Sequence, residues 1–122
     1  FFKDKNYKYI NNEIIQVVKN SKNKIVKVII EAGVLNSPEI KIASKIVEDN
    51  GADFVKTSTG FSKFGASTKI IKIIKSVLNS GTKIKASGGI KSLNQLDQLI
   101  KLGVDRFGTS SSVIIMNEIN NK

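Results

Sequence analysis

The sequence predicts an α/β fold in which a parallel sheet is covered by helices. Three observations lead there. Helix-like and strand-like segments alternate strictly, α-β-α-β-α-β-α-β-α, along the 122 residues. Each strand–helix unit takes roughly 25–30 residues, the length a parallel crossover requires. No linker or low-complexity stretch interrupts the series, so residues 1–122 read as a single domain. With 40% hydrophobic residues the chain has enough apolar side chains for a core.

Residues 1–23 open on Phe1 and Phe2, two aromatics expected to be exposed. Asn11 or Asn12 is expected to cap a helix running to about Lys19, with Ile14, Ile15 and Val18 on one face. Asn20-Ser21-Lys22-Asn23 breaks that helix. Residues 25–31 read as a buried strand, apolar apart from Lys27 up to its closing Glu31. Ser37-Pro38-Glu39 is a helix start, with Ser37 at the cap, proline at the first helical position and an acid in the first turn. Asn50-Gly51 is a left-handed stop.

A second strand follows in Phe54-Val55-Lys56, entered from the turn Gly51-Ala52-Asp53. A loop with Gly60 and Gly65 leads to a helix over residues 68–78, ended by Asn79-Ser80-Gly81. Residues 82–86 form the third strand and run into Ser87-Gly88-Gly89. Ser92 caps a helix through Lys101 that Gly103 stops. Residues 105–109 form the fourth strand, and Ser110-Ser111-Ser112 opens the last helix.

Composition excludes several chemistries. There is no Cys and no His, so disulfide scaffolds, zinc sites and Ser-His-Asp catalysis are out. No apolar run approaches the length of a membrane span, and residues 1–23 lack a signal-peptide pattern. A cytoplasmic protein without a membrane partner is the expectation. The net charge is +10, yet Arg106 is the only arginine among 20 basic residues. Readers of nucleic acid lean on arginine for bidentate contacts, so a nucleic-acid partner is not expected. The lysines are spread along every segment, and their field attracts anions in general.

Three strands each contain a lysine within an apolar run: Lys27, Lys56 and Lys85, spaced 56 − 27 = 29 and 85 − 56 = 29. On parallel strands the three amines can converge in one pocket. Repulsion and desolvation then lower the pKa of at least one, leaving the neutral amine that imine formation needs. The competing reading is that they point outward and snorkel between helices. Two glycine turns, Ser87-Gly88-Gly89 and Gly108-Thr109-Ser110-Ser111, follow the third and fourth strands. Glycines let a backbone approach a ligand, and N–H groups at a helix start bind anions. Singly these are ordinary turns and caps; paired beside the lysines they favour a phosphorylated substrate.

Several blocks resemble deoxyribose-phosphate aldolase, a class I aldolase built on a (β/α)8 barrel, in the same order and at similar spacing. They are Val26-Lys27-Val28-Ile29-Ile30-Glu31, the stretch from Gly51 to Phe61 with Lys56-Thr57-Ser58-Thr59-Gly60 at its centre, Lys83-Ile84-Lys85-Ala86-Ser87-Gly88-Gly89-Ile90, and Arg106-Phe107-Gly108-Thr109-Ser110-Ser111. The resemblance covers residues 24–115, and the first helix more weakly. Ser-Gly-Gly is shared by many phosphate-binding barrels, whereas the Lys-Thr-Ser-Thr-Gly block is far more specific.

The resemblance implies that Lys56 forms the Schiff base, while Lys85 depresses the Lys56 pKa and moves protons. Gly88, Gly89, Gly108, Ser110 and Ser111 would hold the phosphate, with Thr59 and Gly60 beside the substrate and Lys27 lining the pocket. The reaction implied is reversible cleavage of 2-deoxy-D-ribose 5-phosphate to glyceraldehyde 3-phosphate and acetaldehyde, with no metal or organic cofactor.

One departure matters. A (β/α)8 barrel takes about 250 residues, and four strands make a half-barrel. The part not matched is the N-terminal half, where the family carries a catalytic aspartate; Glu31 is the nearest acid on a strand end and is not assigned that role. A half-barrel exposes strand edges, so a homo-oligomer or a complementing N-terminal half is expected, and the chain alone is expected to be nearly inactive. The rival readings are another phosphate-binding barrel, a non-catalytic sugar-phosphate binder, and a basic nucleic-acid-binding module.

Overall fold

The computed structural model describes residues 1–61, 64–79 and 81–122. The alternation holds: α1 (Tyr7–Asn20), β1 (Lys27–Ile29), a 3₁₀ turn (Ala32–Val34), α2 (Ser37–Asp49), β2 (Phe54–Lys56), α3 (Thr68–Lys75), β3 (Lys83–Ser87), α4 (Leu93–Lys101), β4 (Arg106–Gly108) and α5 (Ser112–Asn120). The four strands form one parallel sheet in the order β1-β2-β3-β4. Each neighbour in sequence is therefore a neighbour in space, as strand–helix–strand units dictate.

Because side chains alternate along a strand, the sheet has two unlike faces. Val55, Ile84 and Ala86 point to one and are fully buried with Ile71 and Ile74 of α3 and Val47 of α2. Lys27, Phe54, Lys56, Lys85, Ser87, Arg106 and Gly108 share the other, following the register and the two-residue period. The helices cover only the first face.

Two short motifs repeat to hold the strand starts. Gly51 and Gly103 each close a helix in the left-handed region, at φ +79° and +84°. Two residues later an aspartate accepts an amide from the neighbouring strand region: Asp53 from Val26 at 2.7 Å and Asp105 from Ile84 at 2.9 Å.

Element boundaries shift where a better cap lay outside the expected one. The cap of α1 is Asn6, whose side chain accepts from the Tyr9 amide, so that helix starts before Asn11 and Asn12. Asn11 bonds instead to the Tyr7 carbonyl and to Asn50. The cap of α2 is Asn36, which forms a capping box with Glu39, leaving Ser37 and Pro38 inside the first turn. Phe2 is half-buried against Tyr7, although Phe1 is exposed as expected. The strand over residues 25–31 shrinks to three residues with Ile25 and Ile29 exposed, because β1 is an edge strand and shares its ladder on one side only. The helix expected over 68–78 closes at Lys75, and Ser80 of its terminator lies outside the described residues. Ser92 caps α4 as expected, accepting from the Gln95 amide.

Candidate active site

The C-terminal ends of β2, β3 and β4 and the loops that follow enclose a cleft of about 330 Å³. Lys56, Thr59, Gly60 and Phe61 form one wall. Lys85, Ser87, Gly88 and Gly89 form the floor, and Gly108, Thr109 and Ser110 the far side. A second groove of about 320 Å³ by α1, β1 and α2 is lined by aromatic and aliphatic residues, and among the described residues Glu13 is its one charged side chain.

Lys56 and Lys85 are register partners on adjacent parallel strands, which sets their backbones about 4.8 Å apart with both side chains leaving the same face. The Lys85 ammonium is held below the usual lysine range, first by burial and then by the positive charges of Lys56, Lys27 and Arg106. No ion pair involves these four cations among the described residues.

The loop after Lys56 is bolted to both neighbouring strand ends. On the β1 side, the Ile30 and Ala32 amides donate to the Lys56 and Thr57 carbonyls at 3.0 and 2.8 Å. Glu31, between them, is in the left-handed region at φ +49°, and its carboxylate accepts the Thr59 amide at 3.2 Å. On the β3 side, the buried hydroxyls of Thr57 and Ser58 donate to the Ser87 carbonyl at 3.1 and 2.5 Å. The Ala66 amide donates to the Ser87 and Gly88 carbonyls at 3.0 and 2.9 Å. That bond is possible because Gly65 has no side chain: a Cβ there would lie 2.1 Å from the Gly88 oxygen. The floor and wall of the cleft are thus one hydrogen-bonded piece.

No protein-family model matches the chain. A protein of Mycoplasmoides pirum is 54% identical over 91% of this chain and 52% of its own length; it is a deoxyribose-phosphate aldolase. The chain resembles the deoxyribose-phosphate aldolases. It spans about half the length of the curated relatives it matches, corresponding to their C-terminal half. Among solved structures, a putative deoxyribose-phosphate aldolase from Coccidioides immitis superposes with a TM-score of 0.92 at 36% identity, over 98% of this chain and 48% of that one. The deoxyribose phosphate aldolase of Aeropyrum pernix, a tetramer, gives 0.84 at 31% identity, over 93% and 50%. The four parallel strands with their helices are half of that (β/α)8 barrel.

Of the residues that the aldolase resemblance singled out, Lys56, Lys85, Thr59, Gly60, Gly88, Gly89, Gly108 and Ser110 all line the one cleft. Two do not. Lys27 pairs with Phe54, and it is Ile29 that sits opposite Lys56, because β1 and β2 are offset by 27 residues whereas β2 and β3 are offset by 29. Equal spacing in sequence therefore left Lys27 one layer below the other two, with its amine 5.6 Å from the centre of the Phe54 ring. Its charge still reaches Lys85. Ser111 caps α5 outside the lining, and its amide donates to the Thr109 hydroxyl at 2.9 Å. Ser87, Phe61, Ile90, Lys91 and Thr109 line the cleft without having been given a site role; the first three and Thr109 lie within the quoted motifs, and Lys91 adjoins one.

Proposed function

We propose that this chain carries the imine-forming and phosphate-binding half of a deoxyribose-phosphate aldolase site. Lys56 attacks the aldehyde carbon of open-chain 2-deoxy-D-ribose 5-phosphate, and loss of water gives a protonated imine. The bond between the second and third carbons then breaks. Its electron pair moves into the imine as an enamine, the hydroxyl proton of the third carbon leaves to a base, and glyceraldehyde 3-phosphate departs. Protonation of the enamine and hydrolysis release acetaldehyde and restore Lys56. The protonated imine is the electron sink, so no metal or organic cofactor enters the scheme.

Lys85 is the proton-transfer partner in this reading. Its ammonium is disfavoured by burial and by three nearby cations, so it gives up a proton more readily than an ordinary lysine. Gly88, Gly89, Gly108 and Ser110, with Thr59 and Gly60 opposite, receive the phosphate end of the substrate. Ser111 supports the phosphate side through its bond to Thr109, and Lys27 acts through its charge from the layer below. Glu31 is committed to the Thr59 amide, which fits a holding role and not that of the family's aspartate. The reading carries with it a cytoplasmic place in deoxynucleoside catabolism, and activity that depends on a complementing N-terminal half or on self-association.

The observation that carries the reading is the register pairing of Lys56 with Lys85 inside the one cleft that also holds the glycine turns. The test is to incubate the chain with acetaldehyde, reduce with borohydride and map the adduct by mass spectrometry. The expected result is selective labelling of Lys56 that is lost in Lys56→Arg and weakened in Lys85→Leu. Labelling spread evenly over the lysines would overturn it.

A further inference from the structure

Ser87 Oγ is the buried side-chain polar atom left without a hydrogen-bond partner among the described residues. The rest of Ser87 is fully tied. Its amide donates to the Thr57 hydroxyl at 3.0 Å, and its carbonyl accepts from Thr57, Ser58 and Ala66. The residue is 4% exposed and lies in the floor of the cleft. A rigidly held residue with one unmet hydroxyl is destabilising unless something else meets it.

Its position says what that partner is. Ser87 is the register partner of Gly108 and lies on the same face as Lys56 and Lys85, about 7 Å further towards the C-terminal end of the sheet than Lys85. Gly88 and Gly89 follow directly. A Cβ at Gly108 would stand 2.7 Å from Ser87 Oγ and 3.6 Å from Lys85 Cε. The missing side chain therefore leaves a space that the serine hydroxyl and the end of Lys85 share.

We infer that Ser87 reads a hydroxyl group of the ligand, the one carried on the carbon next to the phosphate ester. The inference rests on the sugar-phosphate reading of this cleft. A hydroxyl is the matching chemistry, because a serine O–H both donates and accepts, whereas anionic oxygens are served by the cations and backbone amides nearby. Ser87 Oγ has almost no open area, so the ligand reaches it as the flexible end of Lys85 swings aside. Binding of the correct hydroxyl is thereby coupled to the position of the proton-transfer lysine. Ser87 is a specificity-determining residue in this account.

The test uses unreactive probes, so it does not depend on imine formation. Glycerol 3-phosphate carries the middle hydroxyl, and propane-1,3-diol monophosphate lacks it. Titration calorimetry of the parent chain is expected to favour glycerol 3-phosphate about tenfold, the discrimination of one hydrogen bond. Ser87→Ala binds both probes at the weaker value, Ser87→Thr keeps the preference, and Lys56→Arg keeps it too. Equal binding of the two probes by the parent, failure to bind either, or a preference that survives Ser87→Ala would overturn the inference. A preserved preference without selective acetaldehyde labelling at Lys56 would instead remove the aldolase reading and leave the hydroxyl subsite standing. The comparison of probes on the parent needs no variant, so it decides the matter even if Ser87→Ala fails to fold.

Discussion

Lys56 and Lys85 face each other across the β2–β3 register, where burial and the neighbouring cations hold the Lys85 ammonium below the usual lysine range. The folded state therefore disfavours the charged form of Lys85. Between its folded pKa and the ordinary 10.5 the unfolded chain binds more protons, so the Lys85 contribution to stability rises with pH across that window. Lys85→Met removes the penalty. The variant is expected to resist urea better than the parent near neutral pH, and its advantage should vanish as pH passes 10.5. Equal urea midpoints at neutral pH would contradict this.

Phe54 is only 3% exposed although it lies on the face that no helix covers. Two cations shelter it: the Arg106 guanidinium at 4.9 Å from the ring centre and the Lys27 amine at 5.6 Å. Arg106→Ala is expected to cost about 0.5–1 kcal/mol through the lost cation–π contact and stem packing. Arg106→Lys should recover part of that. Urea unfolding at two salt concentrations checks it, because stem packing survives added salt.

Gly65 tests the bolted loop. A methyl group at that position meets backbone 2.1 Å away at Gly88, and backbone cannot turn aside as a side-chain end can. Gly65→Ala is expected to destabilise by roughly 1–3 kcal/mol and to loosen the cleft floor. Faster amide exchange at Ala66, whose N–H donates to Ser87 and Gly88, is the local readout. An unchanged exchange rate there would refute the account.

The capping box of α2 gives an acid limb. Glu39 is held below its ordinary 4.5, first by its bond to Lys3 and then by the Asn36 amide. A depressed carboxylate stabilises above its unfolded pKa, and that contribution is lost as pH falls through the folded value. Glu39→Gln should therefore flatten the stability profile below pH 4.5. Asn36→Ala removes the cap itself and is expected to cost about 1 kcal/mol at neutral pH, measured by thermal unfolding.

Local signals carried most of the chain. Strict alternation gave the parallel sheet; Gly51 and Gly103 marked real helix stops, and Ser92 a real cap. Each of these is decided within a few residues by backbone conformation, which a single sequence displays directly. The helix starts at Asn6 and Asn36 were harder to see, since Asn11 and Asn12 within the first helix and Ser37 beside Asn36 are cap-forming residues too, and only the folded chain chooses. The motif around Lys56 was legible because its residues adjoin one another.

What only the tertiary structure decided is how the strands line up. Equal sequence spacing put Lys27, Lys56 and Lys85 on a par, yet the β1–β2 offset lowered Lys27 by a layer and set it over Phe54. Register depends on loop lengths and on contacts such as Asp53 with Val26, which join residues far apart in the chain. Ser87 makes the same point. Its sequence neighbours announce a turn, but that its hydroxyl lies buried and unpartnered follows from Gly108 on the adjacent strand and from the loop that bonds its carbonyl. The sequence alone determined which candidate site residues lie beside one another and in what order their strands run. The fold determined which of them meet, because meeting is a property of pairs that are distant in sequence.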